Sequence, residues 1–193
     1  MKHRIVLAED EPITRMDISE ILTSSGYDVV GEASDGLEIV ELCRIHRPDL
    51  VIMDIKMPKL DGIQAAQMIL KENLSESVVM LTAYSGKEFI DKVKEIGVIG
   101  YIVKPIDDRN LIPQIEIAIS KGKEIKEMKK EIAESKKKIK DTKIIDQAKE
   151  VMMEKYSITE NEAYRRIRKL SMDRQCSILE TSVKLLKLYG EVD

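Results

Sequence analysis

Short apolar runs alternate with longer amphipathic stretches through the first 120 residues. Arg4 to Ala8, Asp28 to Ala33, Leu50 to Met53, Val78 to Thr82 and Tyr101 to Val103 are too short for helices and rich in Val or Ile, which predicts strands. Between them, helical patterns lie near residues 12–25, 35–46, 61–73, 86–96 and 109–120, with Gly26, Gly36, Gly62, Gly86 and Gly97 as punctuation. Five such β-then-α repeats demand right-handed crossovers. The expected result is a doubly wound parallel sheet covered on both faces.

The pattern then changes. Residues 121–143 hold 10 Lys against 5 Asp and Glu, with no Gly after Gly122 and no Pro, which predicts a helical connector. Ile125, Met128, Ile132 and Ile139 fall at the alternating three- and four-residue spacing of a coiled-coil seam, interrupted by Ser135 and Thr142. Three further helical stretches follow. The first, Ile144 to Tyr156, places Ile145, Ala148 and Met152 on one face. The others open with capping boxes, Thr159 with Glu162 and Ser177 with Glu180. The predicted fold class is α/β of flavodoxin-like order over 1–120, then a coiled-coil connector over 121–143 and a three-helix output unit over 144–193.

Charge sharpens this division. Residues 1–120 carry 13 Lys and Arg against 21 Asp and Glu, whereas residues 121–193 carry 19 against 14. An acidic first part fused to a basic second one suggests a regulatory unit joined to a segment that meets a polyanion. No apolar run approaches the ~20 residues of a membrane span, and the start of the chain enters a strand rather than a signal peptide, so a cytoplasmic protein without a membrane partner is expected. Cys43 and Cys176 lack disulfide or zinc spacing and are read as buried thiols.

On a parallel sheet, functional groups gather beyond the carboxyl ends of the strands. The first run ends in Glu9 and Asp10, the third in Asp54, the fourth in Thr82 and the fifth in Lys104. Three carboxylates brought together repel one another unless a cation sits among them, and Mg²⁺ suits an all-oxygen set. Phosphoryl transfer needs an in-line nucleophile and charge compensation around the equatorial oxygens. Asp54 supplies the nucleophile, and Lys104 and Thr82 supply donors.

The segments Ala8-Glu9-Asp10-Glu11-Pro12, Met53-Asp54-Ile55-Lys56-Met57-Pro58, Asp61-Gly62, Thr82-Ala83 and Tyr101 through Lys104-Pro105 resemble two-component receiver domains over about 120 residues. The resemblance implies Asp54 as phosphoacceptor, Glu9, Asp10, Asp54 and the Lys56 carbonyl around Mg²⁺, Thr82 and Lys104 on the phosphoryl group, and Tyr101 as a switch residue. It also implies a sensor histidine kinase as phosphodonor. Glu9 stands where many receivers have Asp, which implies contact through water.

In the output unit, Arg165, Arg166, Arg168, Lys169 and Arg174 fall within ten residues holding one acid, Asp173. On a helix from Glu160 to Ser171, Ala163, Ile167 and Leu170 face inward and the basic residues mostly outward. The stretches Ile145 to Lys149, Met153 to Tyr156, Thr159 to Tyr164 and Leu170 to Arg174 resemble the ANTAR domain, an RNA-binding antiterminator module, with Glu150 and Ser171 as departures. This implies binding to paired hairpins in nascent leader transcripts, with Lys149, Arg165, Arg166, Lys169 and Arg174 expected on the RNA and Tyr164 expected in the core. The whole layout is similar to the antiterminators of ethanolamine utilisation.

The expected protein is a response regulator, not an enzyme, that dimerises on phosphorylation and then holds RNA hairpins against transcription termination. Two rivals stay open at this point. One is a DNA-binding regulator that uses the helix around Arg166 for recognition, and the other is a protein-interaction module.

Overall fold

The structure is a computed structural model and describes residues 2–83 and 95–189. Residues 86–94 of the helix expected near 86–96 lie outside the described residues. The strands are β1 (Arg4–Ala8), β2 (Asp28–Ala33), β3 (Leu50–Asp54), β4 (Val78–Thr82) and β5 (Gly100–Val103), all paired in parallel in the order β2-β1-β3-β4-β5. The chain reverses its winding between β1 and β3, where a doubly wound sheet opens a crevice at the strands' carboxyl ends.

The alternation along each strand decides what covers each face. Val6, Val51, Met53 and Met80 point to one side, against Ile39, Val40 and Cys43 of α2 (Gly36–His46) and Ala65, Ala66 and Ile69 of α3 (Gly62–Lys71). Ile5, Leu7, Leu50, Ile52, Val79 and Leu81 point to the other, against Ile18 and Leu22 of α1 (Pro12–Ser24) and Leu111 and Ile115 of the following helix. All five residues of β3 are buried. At ~1.5–3 kcal/mol for each fully buried large aliphatic side chain, the two layers supply most of the drive to fold.

That following helix, α4, runs from Asp108 to Tyr156 without a break. The stretches expected separately near 109–120, over 121–143 and from Ile144 to Tyr156 are thus one element, because nothing between Gly122 and Tyr156 caps or breaks it. Asp107 starts it, accepting from Asn110 N at 2.8 Å. Near Gly122 the helix approaches the amino-terminal end of β4 so closely that a Cβ there would lie 1.7 Å from Ser77 Oγ. Ser77 Oγ in turn donates to the Ala118 carbonyl at 3.0 Å.

The chain divides into two compact units, Met1–Met128 and Lys129–Asp193. In the second, α4 contributes Ala148 and Met152 to a small core completed by Ala163 and Ile167 of α5 (Glu160–Asp173) and Leu185 of α6 (Ile178–Tyr189). Both expected capping boxes form. Thr159 and Glu162 bond each other's backbone N–H, and so do Ser177 and Glu180. Cys43 is buried, whereas Cys176 is only half-buried beside Thr181 Oγ1.

Candidate functional site

β1 and β3 are adjacent, so their ends bring Glu9, Asp10 and Asp54 together, with carboxylate oxygens all within 4.8 Å of one another. Asp54 closes β3 and is mostly buried, Glu9 is only 1% exposed, and Asp10 is exposed. Thr82 ends β4, buried, and its carbonyl accepts from Lys104 N at 2.8 Å, which fixes the backbone after β5. The Lys104 ammonium therefore enters the acidic cleft, 2.6 Å from Asp54 Oδ2 and 2.7 Å from Glu9 Oε2.

These positions set the electrostatics. Burial pushes the Glu9 carboxyl above its ordinary range, and the Asp54 charge adds to this while Lys104 opposes it. Burial pulls Lys104 the other way from its two carboxylate partners, which win and hold its ammonium above the ordinary lysine value. Asp54 Oδ1 accepts from Ile55 N at 2.6 Å, leaving Oδ2 with the ammonium. Glu9 Oε2 is a different case. It is fully buried and has no hydrogen-bond partner among the described residues, so its contact with Lys104 is an ion pair without hydrogen-bond alignment. A buried carboxylate oxygen left with spare lone pairs, beside two more carboxylates, fits a hard, oxygen-seeking cation.

The loop after Asp54 is shaped by close packing. Gly62 N donates to the Ile55 carbonyl at 2.8 Å, and a Cβ on Gly62 would lie 2.1 Å from the Asp54 carbonyl oxygen. Asp61 caps α3 by accepting from Gln64 N. Lys56, whose carbonyl is the expected fourth ligand, sits exposed two residues past Asp54. Tyr101 lies in β5 and is part-exposed. One supporting residue is not visible in the sequence pattern. Arg15 Nη1 donates to the Glu9 carbonyl at 2.6 Å from α1, and only its spacing within a helix facing β1 could have hinted at it.

In the second unit, Ala163 and Ile167 are buried, while Arg165, Arg166, Arg168 and Lys169 on α5 and Arg174 just beyond it are exposed. The Arg166 guanidinium lies 5.5 Å from the Tyr156 ring. Tyr164, expected in the core, is instead 40% exposed, because it follows buried Ala163 by one residue and so turns about 100° away from the core. Lys149 differs from the arginines, because its ammonium pairs with Asp146 at 2.7 Å and Glu160 at 2.6 Å. Hydrogen bonds to these two acids raise its pKa and tie α4 to the first turn of α5. Ser171 is buried, with its hydroxyl satisfied by the Arg168 carbonyl at 2.7 Å.

Known proteins match both parts of the chain. Residues 5–116 match the response regulator receiver domain, and residues 133–186 match the ANTAR domain. The transcriptional regulatory protein PdtaR of Mycobacterium tuberculosis is 39% identical over 187 residues, covering 97% of this chain and 91% of its own length. The chemotaxis protein CheY of Treponema pallidum is 38% identical over 115 residues, 58% of this chain and 80% of its own. Among solved structures, the receiver domain of the response regulator NarL from M. tuberculosis superposes with a TM-score of 0.59 at 26% identity, covering 62% of this chain and 97% of its own. The CheX-CheY-BeF3-Mg complex of Borrelia burgdorferi gives 0.56 at 28% identity, over 58% and 86%. Among the described residues no helix is long and apolar enough to cross a membrane. The chain belongs to the response regulators, and it joins a receiver domain to an ANTAR domain, the RNA-binding module of antitermination.

Proposed function

We propose that this protein is a phosphorylation-activated antiterminator working in the cytoplasm, in which residues 1–120 receive the signal, 121–143 pair two chains and 144–193 hold RNA. The observation that carries the input half is the Lys104 ammonium held 2.6 Å from Asp54 Oδ2 inside a cleft of three carboxylates. Asp54 attacks the phosphorus of a phosphodonor, a sensor histidine kinase, in line with the leaving group. Lys104 then moves from carboxylate to phosphoryl oxygen, and the Thr82 hydroxyl donates to another. Glu9, Asp10, Asp54 and the Lys56 carbonyl would hold Mg²⁺, which supplies positive charge against the phosphoryl oxygens when bound.

Once Lys104 is drawn away from Glu9 and Asp54, the end of β5 is rearranged, and part-exposed Tyr101 two residues before Val103 is placed to report it. Ile125, Met128, Ile132 and Ile139 are all exposed on α4, as an unpaired seam should be. Pairing two chains through it doubles the RNA footprint, so two hairpins of a leader transcript are held at high effective concentration. Arg165, Arg166, Lys169 and Arg174 form the contact face, with Tyr164 beside them for stacking on an unpaired loop base. Lys149 joins this face only by giving up its pairs with Asp146 and Glu160.

The test is acetyl phosphate labelling followed by sedimentation and RNA gel shift. Wild type should incorporate phosphate, shift toward dimer and bind hairpin RNA more tightly. The Asp54→Ala protein should do none of these. Equal labelling of the two proteins removes Asp54 as acceptor. Preference for duplex DNA over RNA at matched salt removes the antitermination reading.

A further inference from the structure

α4 carries a charge pattern that neither the receiver nor the core of the output unit needs. Between Lys136 and Lys143 it holds five lysines and one acid, Asp141, and all five lysines are exposed. Three of them, Lys136, Lys140 and Lys143, follow one another at four- and three-residue steps and so form one stripe along the helix. No acid stands three or four residues from Lys136 or Lys140. The one that does so for Lys143, Asp146, is already paired with Lys149 at 2.7 Å. Among the described residues the three have no ion-pair partner. By contrast, Lys137 and Lys138, off the stripe, each have Glu134 and Asp141 at helical-neighbour spacing.

Like charges at such spacing weaken a helix, so the stripe opposes the folding of the element that carries it. Among the described residues nothing in the same chain supplies the missing countercharge, and an external polyanion would. From Lys136 to Lys143 the helix rises roughly 10 Å, enough to face on the order of three phosphates of one strand. We infer that Lys136, Lys140 and Lys143 form a second RNA-binding surface, which grips the phosphate backbone of the stem while the α5 face reads the loop. This deepens the RNA reading above and rests on it.

The chemistry favours RNA over an anionic membrane. Interfacial helices anchor through Trp, Phe or Leu opposite their basic face, and residues 129–143 contain none of these. The stripe is also compatible with pairing of two chains. Lys140 follows the seam residue Ile139 by one position and so points about 100° away from it, while Lys136 and Lys143 lie at the seam's flank, where long stems carry their ammonium groups out to solvent.

The experiment uses the full-length protein treated with acetyl phosphate and Mg²⁺, with a labelled RNA hairpin bearing single-stranded flanks as probe. Binding is followed by fluorescence anisotropy across a salt series. A triple variant, Lys136→Gln, Lys140→Gln and Lys143→Gln, should weaken binding about tenfold at low salt and lower the slope of log affinity against log salt by about two. The matching triple Lys→Arg variant should keep both, since charge and helix propensity are preserved. An unchanged slope and affinity in the Gln variant, with wild type binding normally, overturns this inference and leaves the α5 reading standing. Failure of wild type to bind RNA at all overturns both. Loss of binding to phosphatidylserine vesicles with RNA binding intact assigns the stripe to a membrane instead and overturns it too.

Discussion

The two units use charge in opposite ways. In the receiver, Glu9, Asp54 and Lys104 are withdrawn from water and answer one another across 2.6–2.7 Å, inside a sheet whose two faces are separately filled. In the output unit the basic residues of α5 stand in water around a core whose apolar part, among the described residues, is five buried side chains. A buried charge must be matched nearby or it is unaffordable, so its partners can be read from the fold. A surface charge is under no such constraint, and where no acid of the chain pairs with it, its partner lies outside the molecule. The receiver therefore discloses its chemistry, while the output unit discloses only the kind of partner it meets.

The difference in cores sets the largest predicted effect. Truncating a buried Ile to Ala costs about 2–5 kcal/mol, and a core as small as that of the output unit supplies roughly 3–5 kcal/mol in all. Ile167→Ala should unfold α5 and α6 at 37 °C, seen as loss of hydrogen-exchange protection there, whereas Ile52→Ala should lower the receiver's melting temperature and leave it folded. Equal loss of protection in both units would break the comparison.

Next is Lys104→Met, which keeps the stem and removes the ammonium that pairs with Glu9 and Asp54 in the cleft. Divalent metal should then bind several-fold more tightly by titration calorimetry, because it no longer competes with an ammonium for Glu9 and Asp54. Weaker binding would mean that Lys104 orders the ligands rather than competing for them.

These elements were not equally legible. The strands were clear because buried parallel strands are short continuous apolar runs, and Leu50 to Asp54 is buried throughout. The clustering of Glu9, Asp10 and Asp54 followed from strand ends alone. Sequence could not show which carboxylate oxygen lacks a hydrogen bond, since that depends on the angle at which Lys104 arrives. The continuity of α4 was hidden because a change of composition at Lys143 looked like a boundary, although backbone hydrogen bonding is indifferent to charge. Tyr164 and Lys149 were misjudged or underdetermined for a related reason. A single position on a helix decides whether a side chain faces core or solvent, and the acids that hold Lys149 come from two different helices.

Two smaller effects sharpen the contrast. Burial pushes the Cys43 thiol up to about 12 from 9.0, so the folded receiver favours the protonated thiol. The stability this represents is complete below pH 9.0 and is lost as pH rises toward 12. Urea midpoints of wild type should therefore fall over that window more steeply than those of Cys43→Ala, and parallel slopes would place the sensitivity elsewhere. The least effect is at a cap. Thr159→Ala should cost the output unit about 1 kcal/mol in its denaturation midpoint, against no more than about 0.5 kcal/mol for Lys169→Gln on the open face. A larger loss from Lys169 would show that the basic face helps to hold the fold.

Gly62 carries a last consequence. It bears no charge and touches no phosphate, yet the hydrogen where a methyl group would stand is what lets the first turn of α3 lie against the Asp54 carbonyl. An alanine there would leave every acid, the lysine and the threonine in the sequence and still force β3 or the helix to give way. A genetic screen for signalling-dead proteins should thus recover changes at this position with normal abundance of all the reactive groups, and a tally of functional side chains would miss them.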